Sequence, residues 1–333
     1  MERQKPIAVL GAGSWGTALA LHLAKLGQTV WLWTHEPSRV ITLQTDRANN
    51  RYLPGHVFPD NLHVTSHLTE AVNNNHDILI AVPSAGFRNI LLALQPLIDK
   101  PIGIISATKG LDLQTGELLH EVGRRVLGNQ CQYAALSGPS FAREVAASLP
   151  TAVVMASEDL QFATSLSQRF SSPLFRVYLS QDIIGVEVGG VVKNVLAIAA
   201  GIADGMELGA NARSALITRG LAEMTRIGVA AGGHAETFTG LTGLGDLILT
   251  CTDNQSRNRR FGLALGKGKT ITEAEREIGQ VIEGKRNAEL IVGLAKKYAV
   301  DMPISETVWE VLQENITIKQ AIQQLLSRTP RTE

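Results

Sequence analysis

The sequence is poor in cysteine and in aromatic residues. Two cysteines in a chain of 333 residues are too few for a disulfide framework. Their spacing is also unlike that of a metal site, so we predict no bound metal. We expect Cys131 and Cys251 to be reduced, buried thiols.

An excess of charge and a long apolar run are also missing. Lysine plus arginine and aspartate plus glutamate each number 31, so the formal net charge is zero. This balance argues against nucleic acid or an acidic membrane as a partner, although a local basic pocket stays open. No stretch has the roughly 20 uninterrupted apolar residues that cross a bilayer, and the first residues lack the apolar core of a signal peptide. We expect a cytoplasmic protein without membrane insertion.

The length is sufficient for two domains, each with its own core. Up to about residue 180, strand-like segments alternate with helical ones, which predicts a doubly wound, mainly parallel Rossmann-type α/β sheet. From Asp182 onward the apolar spacing is helical and no strand is convincing, with clear helices at 212–228, 283–297 and 305–315. We therefore predict a dinucleotide-binding domain at 1–180 and an all-α substrate-binding and catalytic domain at 181–333.

A glycine-rich turn follows the first predicted strand. Residues 7–10 are apolar, Gly11, Gly13 and Gly16 follow in a G-x-G-x-x-G pattern, and a helix begins there. In the dinucleotide-binding fingerprint these glycines allow a tight turn, close approach of a pyrophosphate and close helix packing. The helix N-terminus would face the phosphates. An ordinary strand, turn and helix with coincidental glycines is the alternative.

The residues after the second predicted strand, 29–33, leave the choice of cofactor open. Glu36 could accept a hydrogen bond from the ribose 2′-hydroxyl of NAD, whereas His35 and Arg39 could accommodate the 2′-phosphate of NADP. Further on, the Pro-Gly pair within 50–55 predicts a loop.

The segment 189–201 predicts a buried helix that carries one cation. Its apolar side chains lie nearly all round the helical wheel, and such a helix belongs in a core. Burial disfavours an ammonium, so Lys193 must find a partner or have a lowered pKa, as a proton-transfer group often does. Alternatively, Lys193 extends to the surface from the edge of the helix. The neighbouring amide of Asn194 suggests a hydrogen-bonding role.

Three further segments contain candidate ligand-binding residues. Lys109 follows a predicted strand, at the edge where α/β sheets bind ligands. Asp246 follows a glycine-rich stretch, and Ser256, Arg257 and Asn258 begin a cationic cluster matched to phosphate oxygens. The alternatives are a solvated loop lysine, a helix N-cap and a solvated surface cluster, respectively.

Together these motifs resemble the bacterial NAD(P)-dependent glycerol-3-phosphate dehydrogenases. The similarity runs from Gly11 to about Glu289 and rests on several motifs in the same order. The motifs are Gly-Ala-Gly-Ser-Trp-Gly-Thr-Ala at 11–18, Leu-Ser-Gly-Pro-Ser-Phe-Ala at 136–142, Val-Lys-Asn at 192–194, Gly-Leu-Gly-Asp-Leu at 243–247 and Ser-Arg-Asn at 256–258.

The resemblance implies reversible reduction of dihydroxyacetone phosphate to sn-glycerol 3-phosphate with NADH or NADPH, supplying glycerophospholipid biosynthesis. It implies that Lys193 is the general acid/base. The substrate ligands that it implies are Lys109, Gly138, Ser140, Asp246, Ser256, Arg257 and Asn258. The cofactor contacts that it implies are Ser14, Trp15, His35, Lys109, Ala142, Arg257, Val281 and Glu283.

The chemistry of these residues agrees with that reaction. Hydride transfer to a carbonyl needs an acid to protonate the developing alkoxide, and Lys193 can supply the proton. Asp246 could hold the ammonium, Asn194 could bond a substrate oxygen, and Arg257 could bind the phosphate. The alternatives are a reductase of a β-hydroxy acid or 2-keto acid and a non-catalytic dinucleotide sensor. The helical domain could support a homodimer.

Overall fold

The computed structural model describes residues 6–73, 75–128 and 131–329. The chain forms two compact units that divide between Glu187 and Val188, within helix α8 (Ile183–Gly205). The sequence placed this boundary at 180, at the end of the last strand. The difference arises because Glu187, in the first turns of α8, binds His120 of the first unit through two hydrogen bonds.

The first unit contains an eight-stranded sheet, and the predicted doubly wound α/β fold is confirmed. Its strand order is β10-β9-β8-β7-β6-β1-β2-β5, and all neighbours are parallel except β8 and β9. The strands are β1 Ile7–Leu10, β2 Val30–Trp33, β5 Leu62–Thr65, β6 Asp77–Ile80, β7 Gly103–Ser106, β8 Gln132–Ser137, β9 Thr151–Ala156 and β10 Phe175–Ser180. The central strands are continuously apolar because helices cover both faces of the sheet.

Those helices form two apolar layers. One layer packs α1, α6 and α7 against the sheet, and the other packs α3, α4 and α5 against the opposite face. The helices are α1 Ser14–Lys25, α2 Pro37–Asp46, α3 Leu68–Val72, α4 Ser84–Leu94, a 3-10 turn at Gln95–Leu97, α5 Leu119–Leu127, α6 Ala142–Ala146 and α7 Leu160–Phe170.

A small hairpin replaces part of the loop that the sequence predicted at 50–55. Strand β3 (Ala48–Asn49) pairs antiparallel with β4 (Leu53–Val57), and only residues 50–52 form the turn. The prediction was therefore wrong for Leu53, Pro54 and Gly55. The sheet has only two strands, so Pro54 lies at an edge, where its missing N–H is tolerated.

The described part of the second unit, 188–329, is entirely helical, as predicted. The four helices that were predicted, at 189–201, 212–228, 283–297 and 305–315, correspond to α8, α9, α14 and α15, whereas α10 to α13 and α16 were not predicted. After α8 come α9 Gly209–Ala230, α10 Ala235–Thr239, a π-helical turn at Leu241–Gly245, α11 Asp246–Thr252, α12 Arg257–Gly266, α13 Ile271–Ile278, α14 Glu283–Tyr298, α15 Pro303–Leu312 and α16 Ile318–Leu326.

Helix α8 is the most apolar element. Within the described chain it is the one helix long and apolar enough to cross a membrane, despite containing Glu187 and Lys193. However, 94% of its most apolar window is buried inside the protein, as in the core helix of a folded domain.

Glycines let α12 pack directly on the backbone of α8. A Cβ added at Gly201 would lie 2.1 Å from the carbonyl oxygen of Arg259, and one added at Gly262 would lie 2.1 Å from that of Ile198. Any larger residue would push the two helices apart. This close packing places the start of α12 beside the lysine of α8.

Candidate functional site

The glycine-rich turn has the geometry that a dinucleotide requires. Gly11 has φ of 121°, and a Cβ there would lie 2.6 Å from the carbonyl oxygen of Ala81. A Cβ at Gly16 would lie 1.9 Å from the oxygen of Gly11, whereas one at Gly13 would meet nothing within 4 Å. The first two glycines are thus needed for the turn and its packing, and the turn is open at Gly13.

The first turn of α1 fits an anionic ligand. Its N-cap, Gly13, has no side chain to accept a bond from the first N–H groups of the helix. The buried indole N–H of Trp15 has no acceptor among the described residues. Ser14 donates to the carbonyl oxygen of Tyr52 at 2.8 Å, which holds the neighbouring hairpin against this turn.

Lys109, Gly138 and Ser140 come together at the carboxyl edge of β7 and β8. Lys109 Nζ donates to Gly138 O at 3.1 Å, and Ser140 Oγ donates to the same oxygen at 2.9 Å. Gly138 has φ of 133°, which favours glycine. Helix α6 begins just beyond, at Ala142. The fold therefore brings together three residues that the sequence analysis had named as candidate substrate ligands.

Lys193 lies in a buried cluster, so the surface-lysine alternative is wrong. Lys193 is only 6% exposed to solvent, and its Nζ donates a hydrogen bond to Asp246 Oδ1 at 2.8 Å. The same Nζ donates to Thr250 Oγ1 at 2.8 Å, and Thr250 in turn donates to Asp246 at 3.3 Å. Thr250 was missed by the sequence analysis, although it lies one helical turn after Asp246.

Asp246 is not an N-cap, so that alternative is also wrong. The N-cap of α11 is Gly245, and no side chain caps the helix. The π-helical turn before α11 is tightly packed, because a Cβ at Gly243 would lie 2.0 Å from Phe238 O and one at Gly189 would lie 2.7 Å from Thr242 O. Gly189 is one turn before Lys193 on α8. The two glycines therefore bring α8 close enough for Asp246 to reach the lysine.

Two asparagine side chains connect the lysine helix to the predicted phosphate cluster. Asn258 Nδ2 donates to Asn194 Oδ1 at 2.9 Å, and Asn258 Oδ1 accepts from the backbone N–H of Gly284 at 2.9 Å. Asn194 also donates to Gly190 O at 3.3 Å. Both amides are thus oriented by protein contacts, and Asn258 is held against the helix that carries Lys193.

The cationic cluster at 256–260 has more than one role. Ser256 caps α12 by accepting from the N–H of Arg259 at 3.2 Å. The side chain of Arg259 is buried and binds Cys251 O at 3.0 Å and Asp204 at 2.5 Å, so the solvated-surface alternative is wrong for this arginine. Arg257 is exposed and donates to Gln280 Oε1 at 3.4 Å, close to Val281 and Glu283 in the chain.

The environment of the lysine cluster makes the nearby thiol unreactive. Cys251 is fully buried, and burial raises the pKa of its thiol to about 12. As expected, neither cysteine forms a disulfide. Across the described ranges no group of three or more His, Cys, Asp or Glu side chains could hold a metal ion.

A Rossmann-type unit with this glycine-rich turn, and a helical unit that buries a lysine against an aspartate, define a class: the two-domain dinucleotide-dependent oxidoreductases. Comparison with known proteins identifies the family. A model of the NAD-dependent glycerol-3-phosphate dehydrogenase N-terminus matches residues 6–163, and a model of the C-terminus matches residues 182–323. The chain belongs to the NAD-dependent glycerol-3-phosphate dehydrogenase family.

Individual relatives agree. A glycerol-3-phosphate dehydrogenase [NAD(P)+] of Actinobacillus pleuropneumoniae is 53% identical over 308 residues, covering 92% of each chain. One of Yersinia pestis is 51% identical over 328 residues, covering 98% of this chain and 97% of the relative. The crystal structure of the Coxiella burnetii glycerol-3-phosphate dehydrogenase superimposes with a TM-score of 0.95 at 53% identity, covering 97% of this chain and 99% of the other.

Proposed function

We propose that the protein catalyses the reversible, NAD(P)H-dependent reduction of dihydroxyacetone phosphate to sn-glycerol 3-phosphate. The observation that best supports this proposal is the buried Lys193–Asp246–Thr250 cluster in a member of the glycerol-3-phosphate dehydrogenase family. The two bacterial relatives described above are both named glycerol-3-phosphate dehydrogenase [NAD(P)+]. The cofactor is NADH or NADPH, and when bound it supplies the hydride.

The proposed cofactor contacts are the residues that the family resemblance implied. The open side of Gly13 and the first turn of α1 receive the pyrophosphate, since unpaired helix N–H groups favour anions. The full set is Gly11, Gly13, Ser14, Trp15, Gly16, His35, Lys109, Ala142, Arg257, Val281 and Glu283.

Lys193 donates the proton. As the substrate carbonyl is reduced, negative charge develops on its oxygen, and the ammonium at Nζ both stabilises and protonates it. Asp246 and Thr250 hold Nζ in one position at 2.8 Å each, so little reorientation precedes proton transfer. In the reverse direction the neutral amine removes the hydroxyl proton.

The substrate phosphate is bound by Arg257 with Ser256 and Asn258 at the start of α12. Arg257 supports this role because the residue is open to solvent while burial lowers the pKa of its guanidinium, as expected for a cation at the wall of a cleft, whereas the guanidinium of Arg259 is engaged by Cys251 O and Asp204. The further substrate ligands that we propose, each from the family resemblance or from its own chemistry, are Lys109, Gly138, Ser140, Asn194 and Asp246. The phosphate contacts supply binding energy that orients the carbonyl.

The test is the oxidation of NADH and of NADPH, followed by absorbance, with dihydroxyacetone phosphate and with unphosphorylated dihydroxyacetone. We expect turnover with the phosphate ester and little without it. Efficient turnover of a 2-keto acid instead would favour the hydroxy-acid reductase, whose substrate carries a carboxylate. Dinucleotide binding with no turnover of any of these substrates would favour the sensor.

In the cell, we place this reaction in the cytoplasm, where its product would supply glycerophospholipid synthesis. The buried state of α8 supports a protein that does not insert into a membrane. The helical unit is proposed to support a homodimer. Sedimentation equilibrium tests that assembly, and a single species of about 36 kDa, close to the chain mass of 35.8 kDa, would contradict it.

A further inference from the structure

Arg259 lies on α12 directly after the three residues that we propose to bind the substrate phosphate. Its side chain is buried, and a buried guanidinium needs acceptors for its N–H donors. The structure supplies these acceptors from three separate segments of the helical unit. Because a planar guanidinium holds its acceptors in fixed directions, it can fix those segments relative to one another.

Two of the acceptors lie on the segment that leads into α12. Arg259 Nε donates to Cys251 O at 3.0 Å, and Nη1 donates to Asn254 Oδ1. Cys251 is in the last turn of α11, where carbonyl groups lack partners within the helix and a cation is favoured by the helix dipole. Arg259 therefore binds both the end of α11 and the α11–α12 junction, by which we mean residues 253–256.

The third acceptor lies on the helix that carries the lysine. Arg259 Nη2 donates to Asp204 Oδ2 at 2.5 Å, near the end of α8. The other oxygen of this carboxylate, Oδ1, accepts from Arg213 Nη1 on α9 at 2.9 Å. Asp204 thus binds two arginines, and of the two it is Arg259 that also binds α11 and the junction.

The junction leads directly into the proposed phosphate cluster. The backbone N–H of Ser256 donates to Asp253 O at 3.2 Å, and Ser256 Oγ accepts from the backbone N–H of Arg259 at 3.2 Å. Ser256 is therefore held by the turn before it and by the helix after it. Arg257 is the next residue, so the place from which its side chain leaves α12 depends on the position of the junction.

We infer that Arg259, anchored on Asp204, is a positioning residue for the substrate phosphate. Its guanidinium is engaged inside the protein and does not bind the phosphate itself. It holds the junction in the form that presents residues 256–258 as one cluster. A displacement of about 1 Å at such a site can cost roughly 100-fold in activity. This role rests on the proposed function, because the ligand concerned is the phosphate of dihydroxyacetone phosphate.

The test is the KM for dihydroxyacetone phosphate in Arg259→Gln. We expect KM to rise about 10–100-fold, because the junction loses its bonds to the guanidinium. We expect kcat to fall less, because Lys193 keeps its own hydrogen bonds. KM separates positioning from a purely structural role, since a variant that is only less stable has fewer active molecules, which lowers the apparent kcat and leaves KM unchanged.

Arg259→Lys is the second variant, and it keeps a positive charge beside Asp204. An ammonium on a lysine side chain cannot reproduce the fork that reaches three separate acceptors, so KM should again rise. This variant also carries the test if Arg259→Gln does not fold.

Arg213→Gln is the matched control. It removes an equal charge from the other oxygen of Asp204 and leaves the bonds at the junction in place. We expect its KM to stay close to the native value. A further measurement needs no substrate: amide hydrogen exchange at residues 252–258 should be faster in Arg259→Gln and unchanged in Arg213→Gln.

Native KM in the folded Arg259 variants would overturn the positioning role. An equal rise of KM in Arg213→Gln would also overturn it, because the loss of one charge beside Asp204 would then be sufficient. Unchanged hydrogen exchange at residues 252–258 in Arg259→Gln would show that Arg259 does not hold the junction. If the native chain does not reduce dihydroxyacetone phosphate, the proposed function fails and the link to a substrate phosphate fails with it, whereas the exchange measurement still reports on the junction alone.

Discussion

At the scale of single residues, the buried contact between Lys193 and Asp246 is the central feature of the site that we propose in the helical unit. Both residues are almost fully buried, and an ion pair in that setting persists only when its remaining donors and acceptors are satisfied. Thr250 helps to satisfy both groups, because its Oγ1 accepts a hydrogen bond from Lys193 Nζ and donates one to Asp246 Oδ1. The sequence predicted a buried lysine. The family resemblance led us to name Asp246, 53 residues further along the chain, as the carboxylate that could hold its ammonium, and the structure shows that contact.

Replacing Lys193 tests this directly. We expect Lys193→Met to lower kcat by roughly 10²–10⁴-fold, because the proton donor is lost. We also expect it to destabilise the fold by about 3–5 kcal/mol, because the Asp246 carboxylate stays buried without its cation. Steady-state kinetics and urea unfolding measure the two effects.

The control is the double variant Lys193→Met with Asp246→Asn. It should recover much of the lost stability, since no charge remains unpaired, and stay inactive. A folded Lys193→Met protein with native kcat would remove the lysine from the mechanism.

At the scale of secondary-structure elements, the packing of α12 on α8 sets the geometry of the site. The helices approach through Gly201 and Gly262, and this approach lets Asn258 bond Asn194. The apolar periodicity of α8 was recognisable in the sequence. The contact with α12 was not, because a glycine in a helix looks the same whether it faces a neighbouring backbone or open space.

Gly201→Ala should therefore be destabilising, even though alanine is the better helix former. The added Cβ would lie 2.1 Å from Arg259 O, a backbone atom that cannot move alone. We expect a loss of about 1–3 kcal/mol in unfolding free energy and a raised KM for the phosphorylated substrate.

Gly293→Ala on α14 is the matched comparison. A Cβ there meets nothing within 4 Å, so we expect a change between zero and about 1 kcal/mol of added stability. Equal effects at Gly201 and Gly293 would show that close helix contact is unimportant.

At the scale of the whole molecule, two buried ionisable groups make stability depend on pH. Glu223 on α9 accepts bonds from the N–H groups of Ile304 and Ser305 at 2.6 and 3.1 Å, and burial raises its pKa to about 7. Burial alone would lower the pKa of His120, but the carboxylate of Glu187 at 3.0 Å raises it above its usual value overall. Both groups bind protons more tightly in the native state than in the unfolded chain.

The stability contributed by these two groups should therefore fall as pH rises. The contribution of Glu223 is complete below its unfolded pKa of about 4.5 and is lost by about pH 7, a change on the order of 3 kcal/mol. The contribution of His120 is complete below about pH 6.5 and is lost at higher pH. Denaturant unfolding at a series of pH values measures both.

Two variants separate the windows. In Glu223→Gln, the free energy of unfolding should change little between about pH 4.5 and 7 and should still decline at higher pH. In His120→Gln, it should decline between about pH 4.5 and 7 and change little at higher pH. If both windows keep their native slope in Glu223→Gln, the buried carboxyl is not the titrating group.

The sequence by itself determined the features that depend on local patterns. Alternating strands and helices, the glycine-rich turn and the apolar lysine helix all follow from side-chain periodicity and from the steric freedom of glycine. These features predicted the α/β and all-α units, and they predicted that Lys193 would be buried.

Only the tertiary structure decided which distant groups meet. It added Thr250 to the Lys193–Asp246 pair that the resemblance had suggested, placed Arg259 inside while leaving Arg257 exposed, and brought Tyr52 against Arg39. The reason is physical. Such contacts join residues far apart in the chain, and their formation depends on how complete elements pack, which no local pattern specifies.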